Sequence, residues 1–300
     1  PETKIIIVIP ILLFFSAYGV FSYNLDQMPL GGDEKEYWYP ATVKFFELIL
    51  QGDFSNDCWK DKRVCEDLGV LSGYEIVTDE FGDPKGYLYP PQLPLILLAG
   101  TSFNLFGNSD DPVFSYENLT AARLVSPVLG ALIVVFVFYI GKLLFNKFIG
   151  ITFALLVLFH GLVIFNSRLI MLEIFAHFFL VFSLLLFIKA ISHEKINLKI
   201  LFLSASVCSL GLITKFYEVI PLLLIFIVLI ILRNNFRKKI DRHLIRNRFF
   251  TNSLPISLLI CVIVVGVFFI PQPFFWGQPI EQLNLLMNSA NTYAPFHPPF

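Results

Sequence analysis

Two adjacent carboxylates, Asp33 and Glu34, follow the flexible Gly31-Gly32 and precede an aromatic cluster of Tyr37, Trp38 and Tyr39. They stand just after one membrane-length apolar run, with several more such runs downstream. A carboxylate pair held at a membrane surface suits chemistry on something lipid-borne. The plainer role is capping of the next helix, since acids favour a helix N-terminus. Further along, Arg123 and Arg168 each begin an apolar run, and Lys215 with Glu218 joins two others. Glu173 and His177 lie one helical turn apart and so share a face. A charge at the centre of a lipid-exposed helix costs roughly 2.5–3.5 kcal/mol on insertion scales, so such groups face a cavity or a partner. For Glu173 the alternative to a substrate is a structural pair with Arg168 or Lys215. For His177 the plainer role is packing, and His160, alone in an apolar run, reads as core or lipid-facing.

Cations beside carboxylates at a membrane edge fit one reaction class well. A phosphate-linked lipid could place its head group among Arg123, Arg168 and Lys215, which would neutralise charge that grows as a bond to the phosphate breaks. Asp33 could then take the proton from an attacking hydroxyl. A phosphate leaving group needs little acid assistance, so no general acid has to be found. Tyr37, Trp38 and Tyr39 could stack on a sugar face, or simply anchor the chain at the interface. Asp33, Glu34 and Glu173 could hold a divalent cation, but their spacing does not demand one, and no cofactor is required by this chemistry.

The elements that must position these groups are set by composition. Of 300 residues, 56% are hydrophobic, 34 are Phe and only 15% are charged, against about 25% charged in a soluble domain. The expectation is an all-α polytopic membrane protein. A net charge of −1 gives no basis for a nucleic-acid partner, and the partner implied by hydropathy is the lipid bilayer. The chain begins with Pro1 and stops in a Pro-rich stretch, which reads as a piece whose C-terminal part is missing. Lys4 to Tyr23 lacks a small-residue cleavage site and reads as an uncleaved first span.

Roughly 20 apolar residues are needed to cross about 30 Å of hydrocarbon. Spans are expected at 4–23, 123–144, 148–165, 169–188, 200–214, 218–232 and 254–270, in a single membrane-embedded module. Residues 91–107 are apolar but short and hold Gln92, Pro94 and Asn104. They either cross the membrane or, as their shortness and prolines favour, lie along the interface. Lys142, Lys147, Lys189, Lys195, Lys199 and the run RNNFRKKIDRHLIRNR at 233–248 face the cytoplasm under the positive-inside bias. The basic run is either an anionic-lipid patch or an ordinary topogenic loop. The large loop 24–122, the turns at Arg168 and Lys215, and the tail 271–300 then share the outer side. Cys58 and Cys65 lie in that loop, where a disulfide could survive in an oxidising compartment. Cys208 and Cys261 lie in apolar runs and read as packing residues, and no Cys/His spacing resembles a zinc site. Asn118-Leu119-Thr120 is a glycosylation sequon so close to the membrane that it reads as incidental.

Taken in order, the motifs resemble those of C-type (GT-C fold) membrane glycosyltransferases, in the group of protein O-mannosyltransferases and lipid A aminoarabinose transferases. The stretches are GGDEKEYWYP, the Gly-Asp-Phe turn at 52–54, YLYPPQLPL at 87–95, AARLVSPVLGALIVVFVFYIGKLLF at 121–145, SRLIMLEIFAHFFLVF at 167–182, LGLITKFYEVIPLLL at 210–224 and PFFWGQPIEQL at 273–283. The resemblance implies an inverting transferase that takes a sugar from a polyprenyl- or dolichyl-phosphate donor to a hydroxyl of a protein, glycolipid or polymer. Its site would lie on the outer or lumenal face of the plasma membrane or endoplasmic reticulum. Asp33 is carried over as the base, Glu34 as its partner and Glu173 as the acid near the outer end of the fourth span. Arg123, Arg168 and Lys215 would bind the donor phosphate, and Tyr37, Trp38, Tyr89 and His177 the sugar or acceptor. Two departures bear on donor and acceptor: Glu173 stands where the family usually has Asp, and Tyr89 where it has an acid or His. The resemblance also supports 91–107 as a juxtamembrane helix.

Two other function classes fit the composition. A transporter or lipid flippase could line a path with Glu173, His177 and Lys215, but no internal symmetry of two matching halves is evident. A non-catalytic membrane subunit could keep the fold without the chemistry. A transferase should gather Asp33, Arg168 and Lys215 around one outward cavity.

Overall fold

The computed structural model describes residues 2–28, 34, 39–54, 93–108, 115–192, 196–215, 226 and 254–269. Among them the secondary structure is entirely helical, without a strand. The helices are α1 (Glu2–Ser22), a short 3-10 turn (Leu25–Gln27), α2 (Tyr39–Gln51), α3 (Leu93–Phe106), α4 (Tyr116–Arg123), α5 (Val125–Leu144), α6 (Lys147–Leu158), α7 (Gly161–Asn166), α8 (Leu172–Ser192), α9 (Leu198–Thr214) and α10 (Leu254–Phe269). The stretches Val8–Gln27, Glu117–Leu144 and Leu172–Ser192 are long and apolar enough to cross a membrane, and Leu93–Phe106, Lys147–Leu158, Leu198–Thr214 and Leu258–Phe268 are shorter apolar helices. Large apolar side chains point away from the protein on these helices, among them Leu12, Phe15, Phe148 and Leu156. A helix apolar on all sides, with such residues outward, is one solvated by lipid. The protein is an all-α polytopic membrane protein.

The chain divides into two units, one of Pro1–Leu25 and Ser126–Phe268, the other of Asp26–Val125 and Phe269–Phe300. In the first unit, Leu13, Ala17 and Phe21 of α1 form a core with Val134 and Phe138 of α5 and Ala154 of α6. Helices α5 and α6 meet at a pair of glycines: a Cβ on Gly141 would lie 2.7 Å from the Gly150 Cα, so neither tolerates a side chain there. Helices α8 and α9 meet through small polar residues. The Ser183 hydroxyl donates to the Ser204 carbonyl and the Ser204 hydroxyl to the Ser183 carbonyl, each at 2.8 Å. Ser209 likewise donates to the Val264 carbonyl of α10 at 2.9 Å. Such bonds average about 0.6 kcal/mol each in a membrane interior, so they set register more than stability.

The expected run 148–165 is not one helix. Helix α6 ends at Leu158, His160 takes an extended backbone (φ −76°, ψ 118°), and α7 restarts at Gly161. A glycine disfavours helix by about 1 kcal/mol relative to Ala, which makes Phe159-His160-Gly161 a natural break. The fourth expected run also begins later than its hydropathy suggests. Residues 167–171 form a turn and α8 starts at Leu172.

In the second unit, α2 buries Phe45, Phe46 and Leu48 against Ile96 of α3. Close approach requires Gly100, where a Cβ would sit 2.5 Å from the Phe46 ring. Helix α2 closes on Gly52, whose φ of +69° is the left-handed conformation favoured just past a helix end. Helix α3 has 14 residues, about 21 Å of rise, short of a full bilayer crossing. It is tied to α4 by the Ser102 hydroxyl, which donates to the Ala121 carbonyl at 2.6 Å. The Asn118 side chain accepts from the Asn108 amide at 2.6 Å and donates to the Asn108 carbonyl at 3.0 Å. Ser115 caps the α4 N-terminus by accepting from the Asn118 amide. These ties fix α4, whose last turn carries Arg123. The expected span 218–232 (apart from Phe226), the basic run 233–248 and the tail 271–300 lie outside the described residues.

Candidate active site

Arg123 is fully buried, although it is among the largest and most strongly polar side chains in the chain. Its Nε donates to Glu34 Oε1 at 2.8 Å, its Nη2 donates to Glu34 Oε2, and its Nη1 donates to the Met28 carbonyl at 2.9 Å. Glu34 is equally inaccessible. The guanidinium thus grips the carboxylate with two parallel bonds, the geometry for which arginine is better shaped than lysine. Removing two ions from water is costly, and a pair so deep persists only because each charge has its partner and further hydrogen bonds. Tyr39, at the start of α2, is also fully buried. Its ring meets Phe103 edge-on at 6.3 Å. Burial first, and the Glu34 carboxylate second, hold its phenol well above the ordinary 10.0.

The first unit has its own pair. Glu173 lies in the first turn of α8 and Lys215 just past the end of α9. Lys215 Nζ donates to Glu173 Oε1 at 2.8 Å. Each charge suits the helix end it occupies, acid at an N-terminus and base at a C-terminus. The pair is partly open, with the Lys215 side chain 13% and the Glu173 side chain 28% exposed. Among the described residues, Glu173 Oε2 is buried without a hydrogen-bond partner. His177, one turn further along α8, is exposed. Arg168 does not join this pair. Its Nη2 donates to the Tyr23 carbonyl and, at 3.2 Å, to the Asn24 carbonyl.

The structure therefore couples Glu34 with Arg123 and Glu173 with Lys215, and turns Arg168 toward backbone. Asp33, Tyr37, Trp38, Tyr89, Cys58 and Cys65 lie outside the described residues, and so does the cavity expected to join Asp33 to the cations. Among the described residues no three His, Cys, Asp or Glu side chains gather as metal ligands. Two contributors were not picked out from sequence: Tyr39, read only as part of an aromatic cluster, and the Met28 carbonyl, which carries no sequence signal. The signal for the Glu34 partner was present in part. An arginine entering an apolar helix has to find a counter-charge, though sequence does not say which.

The model of the dolichyl-phosphate-mannose-protein mannosyltransferase family matches residues 81–274. The chain belongs to this family. It is a membrane-embedded glycosyltransferase of the mannosyltransferase type. The matched region contains Arg123, Arg168, Glu173 and Lys215, while Asp33 and Glu34 precede it. No curated protein and no solved structure matches the chain.

Proposed function

We propose that this mannosyltransferase moves mannose from a dolichyl or related polyprenyl phosphate to a hydroxyl of a protein, on the extracytoplasmic or lumenal face of a multi-pass membrane domain. The acceptor oxygen attacks the anomeric carbon from the side opposite the phosphate. The bond between that carbon and the phosphate oxygen breaks, the configuration inverts, and the polyprenyl phosphate departs with the bonding pair. Asp33 takes the acceptor proton, a role that suits a carboxylate within reach of a hydroxyl. Lys215 stabilises the phosphate as its charge grows, and Glu173 holds the lysine in place when no donor is bound. Tyr37, Trp38 and Tyr89 offer apolar faces to the sugar or the acceptor. No resident cofactor is assigned, because cationic side chains can carry the leaving-group charge.

One observation supports this reading most directly. The residue that follows Asp33 is clamped through a buried two-point ion pair to Arg123, inside the region that matches the family. A proton acceptor must be held to within a fraction of an ångström of its target, and anchoring its neighbour serves that need. In isolated membranes supplied with labelled polyprenyl-phosphate mannose and a Ser/Thr-rich acceptor peptide, Asp33→Asn should lose transfer by at least about 10²-fold while the protein still inserts and folds. Full transfer by that variant would remove Asp33 from the mechanism. Label appearing in a glycolipid or polymer instead of the peptide would change the acceptor.

A further inference from the structure

Helix α1 ends at Ser22, and Asn24 adopts a left-handed backbone with φ of 52°. Asparagine is one of the few side chains that accepts this conformation readily. Backbone carbonyls in the turn just past a helix C-terminus lie beside the helix's negative partial charge. Here the Arg168 guanidinium supplies donors to the Tyr23 and Asn24 carbonyls across more than 140 residues of sequence. Its placement is itself braced. Ser167, Leu169 and Ile170 are almost wholly buried. Ser167 lies so close to α5 that a Cβ on Gly130 would come within 2.2 Å of its hydroxyl and 2.9 Å of the Phe21 ring of α1. The turn 167–171 is thus wedged between α1 and α5, with a cation set on the point where the chain leaves α1. The segment that leaves there leads to Asp33 and Glu34 within ten residues.

We propose that Arg168 is a positioning residue for the transfer reaction: by holding the Tyr23 and Asn24 carbonyls it fixes the exit of α1, from which the chain runs on in sequence to Asp33 and Glu34, and it does not act as a ligand of the donor phosphate. This rests on the reading of Asp33 as the base. The competing role has an atom to serve it, because among the described residues the Arg168 Nε–H is buried without a hydrogen-bond acceptor and could donate to a phosphate oxygen. The two roles separate kinetically. A positioning residue acts on the chemical step and leaves donor binding alone, whereas a phosphate ligand contributes to donor affinity.

The test uses the full chain in proteoliposomes with polyprenyl-phosphate mannose as donor, and sugar-free polyprenyl phosphate as a competitor. Arg168→Ala should lower kcat by about 10²-fold, the effect of a misplacement on the order of 1 Å, with the donor KM and the competitor's inhibition constant within about twofold of wild type. Hydrogen exchange over residues 20–28 should quicken. Arg168→Lys should recover most of the lost kcat, since an ammonium still donates to carbonyls at a helix end. A raised donor KM and weakened competition with kcat unchanged would make Arg168 a phosphate ligand and overturn the proposal. Unchanged kinetics, or a loss of kcat without altered exchange at 20–28, would overturn it as well. Should the alanine variant fail to fold, Arg168→Met, which keeps the apolar stem and removes every donor, takes its place with the same expected loss of kcat at unchanged donor KM and the same quickened exchange. Failure of the base assignment is distinguished by Asp33→Asn: an active Asp33→Asn enzyme sinks that assignment while leaving the exchange response to Arg168 substitution as it was.

Discussion

The Glu34–Arg123 pair is the most consequential contact in the second unit, and its energetics can be worked through. Both side chains are 0% exposed, so water cannot take over when one partner is removed. Arg123→Met keeps an unbranched apolar stem but leaves a carboxylate buried without its counter-charge. Glu34→Gln keeps the shape and one acceptor but leaves the guanidinium unneutralised. Breaking a buried pair in this way costs about 3–5 kcal/mol for either change. At roughly 2–4 °C per kcal/mol for a chain of this order of size, each variant should melt about 6–20 °C below wild type in detergent. The double variant has no charge left to strand. Because a buried ion pair replaced by neutral groups is often close to neutral in stability, the double variant should be more stable than the sum of the singles by several kcal/mol, and no worse than either alone. Thermal unfolding of the four proteins in one detergent, followed by intrinsic fluorescence, completes the double-mutant cycle. Singles that each cost under about 1 kcal/mol, the range of a surface ion pair, would refute the reasoning. Strict additivity in the double variant would refute it equally, because the pair would then not be a pair.

Two further outcomes follow from the same unit. The Tyr39 phenol is held above its ordinary 10.0 by burial and then by Glu34, so its neutral form is favoured in the folded state. The unfolded chain therefore ionises first as pH rises, and the stability associated with Tyr39 is fully present below about pH 10 and is lost above it. Melting temperatures between pH 9 and 11 should fall less steeply for Tyr39→Phe than for wild type, and parallel curves would refute the assignment. Asn118, the acceptor of the only described sequon, is 1% exposed and holds both backbone groups of Asn108. The folded enzyme should carry no glycan there, and Asn118→Ala should cost about 1–3 kcal/mol for two lost bonds. A mobility shift on enzymatic deglycosylation that Asn118→Gln abolishes would contradict the burial.

Membrane character, helical class and the location of the ionisable groups at the ends of apolar runs were legible without coordinates. They follow from local rules: hydrocarbon demands internally bonded backbone over a fixed length, and a charge is tolerated only near an edge or beside a partner. Family membership was legible too, in the order of several individually weak motifs. The break at Phe159-His160-Gly161 was not anticipated, because hydropathy sums over a window and does not register a two-residue change of backbone conformation. What sequence left open was the partner of each ion. Arg123, Arg168 and Lys215 look alike at the ends of apolar runs, yet one grips a carboxylate 89 residues away, one bonds backbone just past a helix end 144 residues away, and one meets an acid 42 residues away. Desolvation requires that each buried charge be matched. Only the packing of distant helices decides which groups come within the 3 Å or so over which a hydrogen bond acts, and so which cation meets a carboxylate and which meets backbone.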